Sequence, residues 1–283
     1  RVLQATGYVA LTTAATALMS DLAPAARRAS ALAIFGVAAN IAMTTVPAGV
    51  SLLLPLIALS GAFWLSGGLA LLGGLLVSQI QEPALVSATN EPTHGRGLFT
   101  LAQQLRLPLL LAWLFGLGFG AFFQFLPLLT ERRGLGSAGL LYTIYGLSII
   151  GTRLLTGRWL DQWPPSRWLM LGFAFLSAGL ALLASGQMFA WLALGVALIA
   201  FGSGVLHPLL ITLHVQPVAA QERGRAGAVF YLGFDLGIGL GLWLLSPIIA
   251  RFGLTGLFVT TAVVAFFAIL PATQIQPSGE QLT

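Results

Sequence analysis

The sequence has no cysteine and no lysine, and all 13 of its strongly basic residues are arginine, against 8 acidic residues. The absence of cysteine excludes disulfides, thiolate metal sites and a cysteine nucleophile. Charged residues make up only 7% of the chain and hydrophobic residues 57%, whereas soluble domains carry about 25% charged residues. A soluble protein with this composition would expose its apolar core, so the composition predicts a membrane protein.

Long uncharged stretches predict how the chain crosses the membrane. No Asp, Glu, Lys or Arg occurs from Ala29 to Gln81 or from Trp168 to Gln221. Because a charged group in bilayer hydrocarbon costs a few kcal/mol, about 20 uncharged residues are the minimum for a spanning helix. Each stretch is more than twice that long and contains Pro or Gly near its middle, as a helical hairpin would. Transmembrane β-strands would instead alternate over segments of about 10 residues, so we predict an all-α polytopic membrane protein.

The apolar pattern predicts nine spans in two groups, separated by a polar linker. The predicted spans are residues 2–20, 29–54, 60–80, 108–129, 138–157, 168–186, 189–213, 226–249 and 253–272. We therefore divide the chain into 1–80, with three helices, a cytoplasmic linker at 81–107, and 108–283, with six helices and a short tail. Leu98 to Leu107 predicts a short interfacial helix before Pro108.

The arginines predict the orientation in the membrane. If the connection at Arg27 and Arg28 is cytoplasmic, three arginines fall outside (Arg132, Arg133 and Arg251), and nine fall inside or at the inner membrane edge (Arg27, Arg28, Arg96, Arg106, Arg153, Arg158, Arg167, Arg223 and Arg225). This asymmetry follows the positive-inside rule and predicts a cytoplasmic C-terminus. Single arginines and pairs scattered through apolar sequence fit this interpretation of the net charge of +5 better than nucleic-acid binding.

A charged motif lies in the predicted turn after the fifth span. It runs from Gly151 through Arg153, Gly157 and Arg158 to Asp161, with Arg167 following two prolines. Such a turn can hold two helix bundles together in one conformation and release them in another, with Asp161 paired to Arg158 or placed at a positive helix N-terminus. The alternative is simple anchoring of the helix ends at the membrane surface.

This motif resembles the cytoplasmic turn Gly-x-x-x-Asp-Arg-x-Gly-Arg-Arg of the major facilitator superfamily of secondary transporters, with Gly157 and Asp161 at the matching positions. The segment from Arg1 to Gly7 resembles the Arg-x-x-Gln-Gly-x-Gly signature of the family's fourth helix, with Ala5 in place of Gly. The resemblance covers the chain as helices four to twelve. It implies a two-bundle transporter lacking its first three helices, in agreement with three plus six spans where such transporters often have six plus six.

The resemblance implies secondary active transport of a small molecule by alternating access, without enzymatic activity, cofactor or metal. Val46-Pro47 is a half-match to a Gly-Pro pair in the family's antiporters. Pro47-x-Gly49 and the apolar, aromatic character of the predicted cavity favour an exporter of a drug or metabolite, with proton coupling through Asp235 as a hypothesis. The alternatives are an uptake symporter for a sugar or organic acid, a non-transporting structural subunit, and a haem redox protein, which would need paired axial histidines. We expect a monomer in the bacterial inner membrane, with its substrate, a coupling ion such as the proton, and the lipid bilayer as partners, and no nucleic acid.

Polar residues inside the predicted spans are the candidates for the substrate or proton pathway. In the first three spans they are Arg1, Gln4 and Tyr8, which follow helical spacing, and Asn40 and Thr44, which share one face. In the last six they are Gln124, Tyr142, Tyr145, His207 and Asp235. For each of them the alternative is a buried contact between helices. The phenylalanines from Phe119 to Phe125 form either an apolar substrate wall or a lipid-facing surface.

Asp235 is the only acid clearly inside a predicted span. Gly233, Gly237 and Gly241 recur every four residues and predict a smooth ridge for close helix packing. Asp235 lies about 200° around the helix from that ridge and shares its face with Tyr231. An acid within the membrane is a functional candidate, here for proton coupling, and a structural contact with a neighbouring helix is the alternative.

Overall fold

The computed structural model describes residues 3–4, 6–8, 10–11, 15, 18, 28–79, 97–156, 163–219 and 222–275. Within these ranges the regular structure is entirely helical, which confirms the predicted all-α class. The chain divides into two compact units, Arg1–His94 and Gly95–Thr283. The first of the nine predicted spans lies mostly outside the described residues.

Unit 1 contains one long helix with a break. Helix α1 runs from Arg28 to Val77 and is interrupted at Ala58, whose φ of 53° and ψ of 177° are not helical. The break follows Pro55, which lacks a backbone N–H and crowds the preceding turn of a helix. The predicted hinge between the second and third spans is therefore present, at Ala58. No residue of the apolar stretch Leu52–Val77 is buried.

Unit 2 is a bundle of long helices joined by short connections. Its helices are α2 (Leu98–Gln104), α3 (Arg106–Arg133), α4 (Ala138–Thr156), α5 (Pro165–Ser185), α6 (Phe189–Val215), α7 (Arg223–Leu236), α8 (Leu242–Leu244), α9 (Ser246–Phe267) and α10 (Ile269–Ala272), with a π-helical turn at Gly237–Gly241. The predicted interfacial helix is α2. The predicted spans of this unit match to within a few residues up to α6.

The last connection between predicted spans, expected between residues 249 and 253, is marked by a break at Gly253. The φ of this residue, 67°, is a conformation that glycine adopts without steric cost. A single residue, Leu245, also separates α8 from α9. The segment from residue 246 to residue 252, which contains Arg251, is therefore helical and precedes the break.

Seven helical stretches within the described ranges are long and apolar enough to cross a membrane. They are Leu52–Val77, Arg106–Arg133, Ala138–Thr156, Pro165–Ser185, Phe189–Val215, Arg223–Leu244 and Ser246–Ala272. The six in unit 2 share one core, in which Phe115, Phe122, Phe173, Phe230 and Phe258 are fully buried. Helices α5 and α6 approach closely because glycines face each other there: a Cβ added at Gly195 would lie 2.9 Å from the carbonyl oxygen of Gly179.

Arg133, at the end of α3, joins three helices at one end of unit 2. Its Nη1 donates to the carbonyl oxygen of Leu183 at 2.8 Å and to that of Gly186. Its Nη2 donates to the carbonyl oxygen of Ala184 at 2.7 Å and to Oγ1 of Thr255 at 3.4 Å. The last carbonyls of a helix have no partner within the helix and carry negative partial charge, so the guanidinium caps α5 and reaches α9.

We expect Arg133→Ala to lower the thermal stability of the protein by about 4–8 °C, because hydrogen bonds from a charged donor contribute about 1.5–3 kcal/mol each. The melting temperature of Arg133→Lys should lie between those of the wild type and Arg133→Ala, because an ammonium group cannot donate to all these acceptors at once. Thermal unfolding in detergent micelles measures the effect. The neighbouring exposed Arg132 is the control, and an equal loss in Arg132→Ala would show that Arg133 is not a specific cap.

Candidate functional site

The predicted glycine ridge packs α7 and the π-helical turn directly on α3. Gly233, Gly237 and Gly241 are all buried. A Cβ added at Gly237 would overlap the carbonyl oxygen of Trp113, and one added at Gly116 of α3 would overlap that of Phe234. The two backbones therefore touch, and the ridge is confirmed as a packing surface.

The opposite face of the same helix is open. Tyr231, Asp235 and Gly239 are exposed, whereas the ridge residues between them are buried. The π-helical turn begins two residues after Asp235, at Gly237. A π-helical turn inserts an extra residue into a helix and occurs frequently at functional sites. The side of α7 opposite its glycine ridge thus carries the exposed carboxylate of Asp235 and the exposed phenol of Tyr231.

Asp235 is the one acidic residue of the described ranges that lies away from the ends of the long helices. Glu131 is in the last turn of α3 and Glu222 directly precedes α7. Asp235 makes no hydrogen bond or ion pair with any residue that the structure describes. Because an unpaired carboxylate facing lipid hydrocarbon is costly, its face is expected to meet water, a proton route or a substrate.

An aromatic cluster lies beside this face and joins four helices. Its members are Phe115, Phe119, Phe122 and Phe123 of α3, Tyr142 and Tyr145 of α4, His207 of α6, and Phe230, Tyr231 and Phe234 of α7. Neighbouring ring centroids are 5.0–6.4 Å apart in these pairs, the spacing that favours aromatic contacts. Tyr142 donates its hydroxyl to the carbonyl oxygen of Phe123 at 2.6 Å. Three predicted candidates, Tyr142, Tyr145 and His207, therefore belong to one cluster.

Polar groups adjoin the cluster on α4 and α6. Arg153, predicted as part of the charged turn, lies half-buried in the last turn of α4. Its Nε is enclosed and makes no hydrogen bond with the described residues. Ser203, one helical turn before His207, is only 2% exposed. The bundle thus contains two enclosed polar groups besides the members of the aromatic cluster.

The other candidates lie apart from the aromatic cluster or outside what the structure describes. Gln124 is exposed on α3, Gly151 is half-buried in α4, and Arg167 is exposed at the start of α5. Gln4 and Tyr8 are exposed in unit 1. Asn40 and Thr44 lie in α1 without a described side chain. Arg1, Gly157, Arg158 and Asp161 fall outside the described residues.

His214, in the last turn of α6, is buried: its side chain is 0% exposed. Its Nδ1 lies 2.7 Å from the carbonyl oxygen of Leu210, and its ring packs against Phe230 at 5.6 Å. The ring is buried because α7 covers the last turns of α6, which hydropathy along α6 alone does not reveal.

Phe230 and Phe234 were missed as site residues by sequence reasoning. Both are buried in the aromatic cluster and stack on each other with ring centroids 5.9 Å apart. Their spacing of four residues beside Tyr231 was the available signal, because residues at i and i+4 meet on one helix face. The signal was not specific, since apolar residues at this spacing also suit a lipid-facing surface.

These observations define a polytopic integral membrane protein whose C-terminal unit is a helical bundle with an aromatic cluster and an open acidic face. The model of the Major Facilitator Superfamily matches residues 1–214 and, in a second match, residues 134–277. The chain belongs to the major facilitator superfamily.

Curated relatives agree with this membership. The uncharacterized MFS-type transporter YhhS of Salmonella typhimurium is 26% identical over 204 residues, which cover 72% of this chain and 49% of the relative. An uncharacterized MFS-type transporter of Burkholderia pseudomallei is 29% identical over 173 residues, which cover 59% of this chain and 41% of the relative. The chain spans about half the length of the curated relatives it matches.

Proposed function

We propose that the full-length protein is a secondary transporter that exports a small apolar or aromatic molecule in exchange for protons, by alternating access. Family membership supports transport as the general activity. The observation that carries the finer proposal is Asp235, an exposed acid in a span whose other face is closed by the glycine ridge.

Asp235 is well placed to carry the proton. In its ionised form it needs water or a counter-charge within the membrane, and in its protonated form it does not. Loading and unloading a proton therefore changes how stable each conformation of the transporter is, and this is the requirement for coupling. Tyr231, one turn before Asp235, contacts His207 at a ring distance of 6.4 Å. A hydroxyl and an imidazole thus adjoin the carboxylate face as proton-exchanging groups.

The aromatic cluster supports an apolar, ring-bearing substrate. Six of its ten members are buried, and Phe119, Phe123 and Tyr231 are its phenylalanine and tyrosine members that remain partly or fully exposed, so these are the ones that can offer stacking and dispersion contacts to a ligand. Ligand sites are commonly lined by apolar and aromatic side chains with a few polar groups that orient the ligand. Here Tyr145, Ser203 and His207 are such groups at the edge of the aromatic cluster.

The second candidate is uptake of an organic acid together with protons. It is favoured by Arg153, a half-buried guanidinium whose enclosed Nε makes no hydrogen bond with the described residues. A guanidinium binds carboxylates in a bidentate manner. The two candidates differ in the charge of the substrate and in the direction of proton movement.

Proton movement in proteoliposomes distinguishes them. The full-length protein is reconstituted with the pH-sensitive dye pyranine inside, and ethidium, an aromatic cation, or citrate, an organic acid, is added outside. If ethidium enters in exchange for protons, protons leave the lumen and its pH rises. If citrate enters together with protons, the lumenal pH falls. Both changes are measured relative to protein-free liposomes. If neither these probes nor a wider panel of both classes moves protons, proton-coupled transport is contradicted.

We expect Asp161→Asn to slow transport with little change in substrate affinity. Asp161 lies outside the described residues, and the prediction rests on its match to the family's cytoplasmic turn. Removing the charge should weaken a contact made in only one conformation and so shift the inward/outward balance. Initial rates against probe concentration give the apparent affinity and the maximal rate, with Arg158→Gln as a companion variant in the same turn. Unchanged maximal rate in Asp161→Asn would assign the turn to simple anchoring.

A further inference from the structure

An apolar groove separates α5 and α9 on the surface of unit 2. It is lined by Ala181 and Ser185 of α5 and by Thr255, Val259, Val263 and Phe266 of α9, and its volume is about 530 Å³. Ligand pockets typically measure about 300–1,000 Å³. The hydroxyl of Ser185 donates to the carbonyl oxygen of Ala181 within α5. The small side chains of α5 therefore leave a space whose walls are almost entirely apolar.

Arginines gather at one end of this groove. Arg133 donates to the carbonyl oxygen of Ala184 and to Oγ1 of Thr255, both of which belong to residues that line the groove. Arg132, next to Arg133 in the sequence, is exposed, and so is Arg251, which precedes Thr255 by four residues across the break at Gly253. One exposed acid, Glu131, adjoins Arg132. The described charge at this end is thus positive overall, whereas Phe266 and Phe267 close the other end.

The dimensions of the groove fit one leaflet of a bilayer. From Thr255 to Phe266 the helix rises about 16 Å at 1.5 Å per residue. The hydrocarbon core of a bilayer is about 30 Å thick, so one leaflet contributes about 15 Å. The groove therefore extends from a cationic rim at one membrane surface to about the depth of the bilayer midplane.

We propose that this groove binds an anionic phospholipid, with one acyl chain along α5 and α9 and the phosphate on Arg132 and Arg251. Arg133 is largely occupied by carbonyl oxygens, so it positions the rim, while the exposed Arg132 and Arg251 provide guanidinium donors for phosphate oxygens. The guanidinium carbon of Arg251 also lies 5.8 Å from the centre of the Phe252 ring. The bound lipid contacts α5 and α9 on the outer surface of the bundle, at the same end at which Arg133 donates hydrogen bonds to both helices. Arg132, Arg133 and Arg251 are the three arginines predicted to lie outside, and lipid binding gives them a function.

Lipid binding to the purified full-length protein tests the site. Native mass spectrometry in detergent measures binding of phosphatidylglycerol and of phosphatidylcholine with the same acyl chains. Wild-type protein should bind phosphatidylglycerol at least about tenfold more tightly than phosphatidylcholine. Both headgroups carry a phosphate, but the choline cation neutralises that of phosphatidylcholine, so only phosphatidylglycerol presents net negative charge to the two arginines. The double variant Arg132→Gln/Arg251→Gln should lose this preference. Ala181→Phe, and separately Val259→Phe from the opposite wall, should fill the groove and reduce binding of both lipids.

The matched control is Arg106→Gln/Arg223→Gln, which removes two exposed arginines at the opposite end of unit 2. It should leave the preference unchanged. Equal loss in both double variants would show that net charge alone attracts the lipid, and would overturn the site. Unchanged phosphatidylglycerol binding in both groove-filling variants, in protein with a wild-type melting temperature, would overturn it as well. So would a dimer in the wild-type spectrum that Ala181→Phe abolishes, because the groove would then hold a second copy of the chain.

Discussion

Asp235→Asn is expected to reduce pH-gradient-driven flux of the transported probe to background, while exchange of the probe across the membrane at equal pH continues. The amide has nearly the shape of the protonated acid and cannot ionise, so the variant stays in the loaded form. Without a proton to release, the gradient has no means of driving the conformational cycle. Proteoliposomes with and without an imposed pH gradient measure both quantities on the same preparation.

Glu131→Gln is the control for this experiment, because Glu131 is an exposed acid in the last turn of α3, outside the Asp235 face. It should retain gradient-driven flux. His207→Gln separates the neighbouring imidazole from the carboxylate: it should alter the rate without removing the response to the gradient. If Asp235→Asn responds to the gradient as the wild type does, Asp235 is a structural residue and proton coupling through it is refuted.

Gly237→Ala is expected to produce a large loss of stability, because the added methyl group would overlap the backbone of α3. Three backbone atoms of α3 lie within 3.0 Å of the position that the new Cβ would occupy. Backbone cannot move aside as a side chain end can, so α7 must shift away from α3. Overpacking of this kind typically costs about 1–3 kcal/mol, and more where backbone is involved. We expect the melting temperature in detergent to fall by about 5–10 °C.

Gly239→Ala provides a matched control two residues away in the same π-helical turn. A Cβ there would meet no described atom within 4 Å, and alanine favours helix over glycine by about 1 kcal/mol. This variant should be as stable as the wild type or slightly more so. Similar losses in the two variants would show that flexibility of the π-helical turn, rather than contact with α3, determines stability here.

The helices themselves were largely predictable, because the membrane imposes a simple rule on the sequence. Every backbone polar group in hydrocarbon must be satisfied within its own helix, so apolar length alone locates α3 to α6. The glycine ridge was also predictable, because three glycines at intervals of four residues have few other uses in a span. The position of Asp235 opposite that ridge then followed from helical geometry.

The features that the sequence left open depended on atoms brought by another helix. His214 ends the apolar run of α6, and only the cover of α7 buries it. The connection near Arg251 was expected from the apolar pattern, but the start of α9 at Ser246 and the break at Gly253 were not resolved by it. Hydropathy averages over many residues and therefore does not locate single-residue breaks.

The sequence by itself determined that the chain lies in a lipid bilayer, that its spans are helical, and on which face of its helix Asp235 lies. These properties depend on composition and on spacing within one helix. Tertiary structure decided which side chains meet. It joined aromatic residues of four helices into one cluster, enclosed the Nε of Arg153, and set Arg133 on the carbonyls of α5. It also left a groove between α5 and α9. Such contacts depend on the distances and crossing angles between helices, and lipid-like side chains on every face leave those undetermined in the sequence.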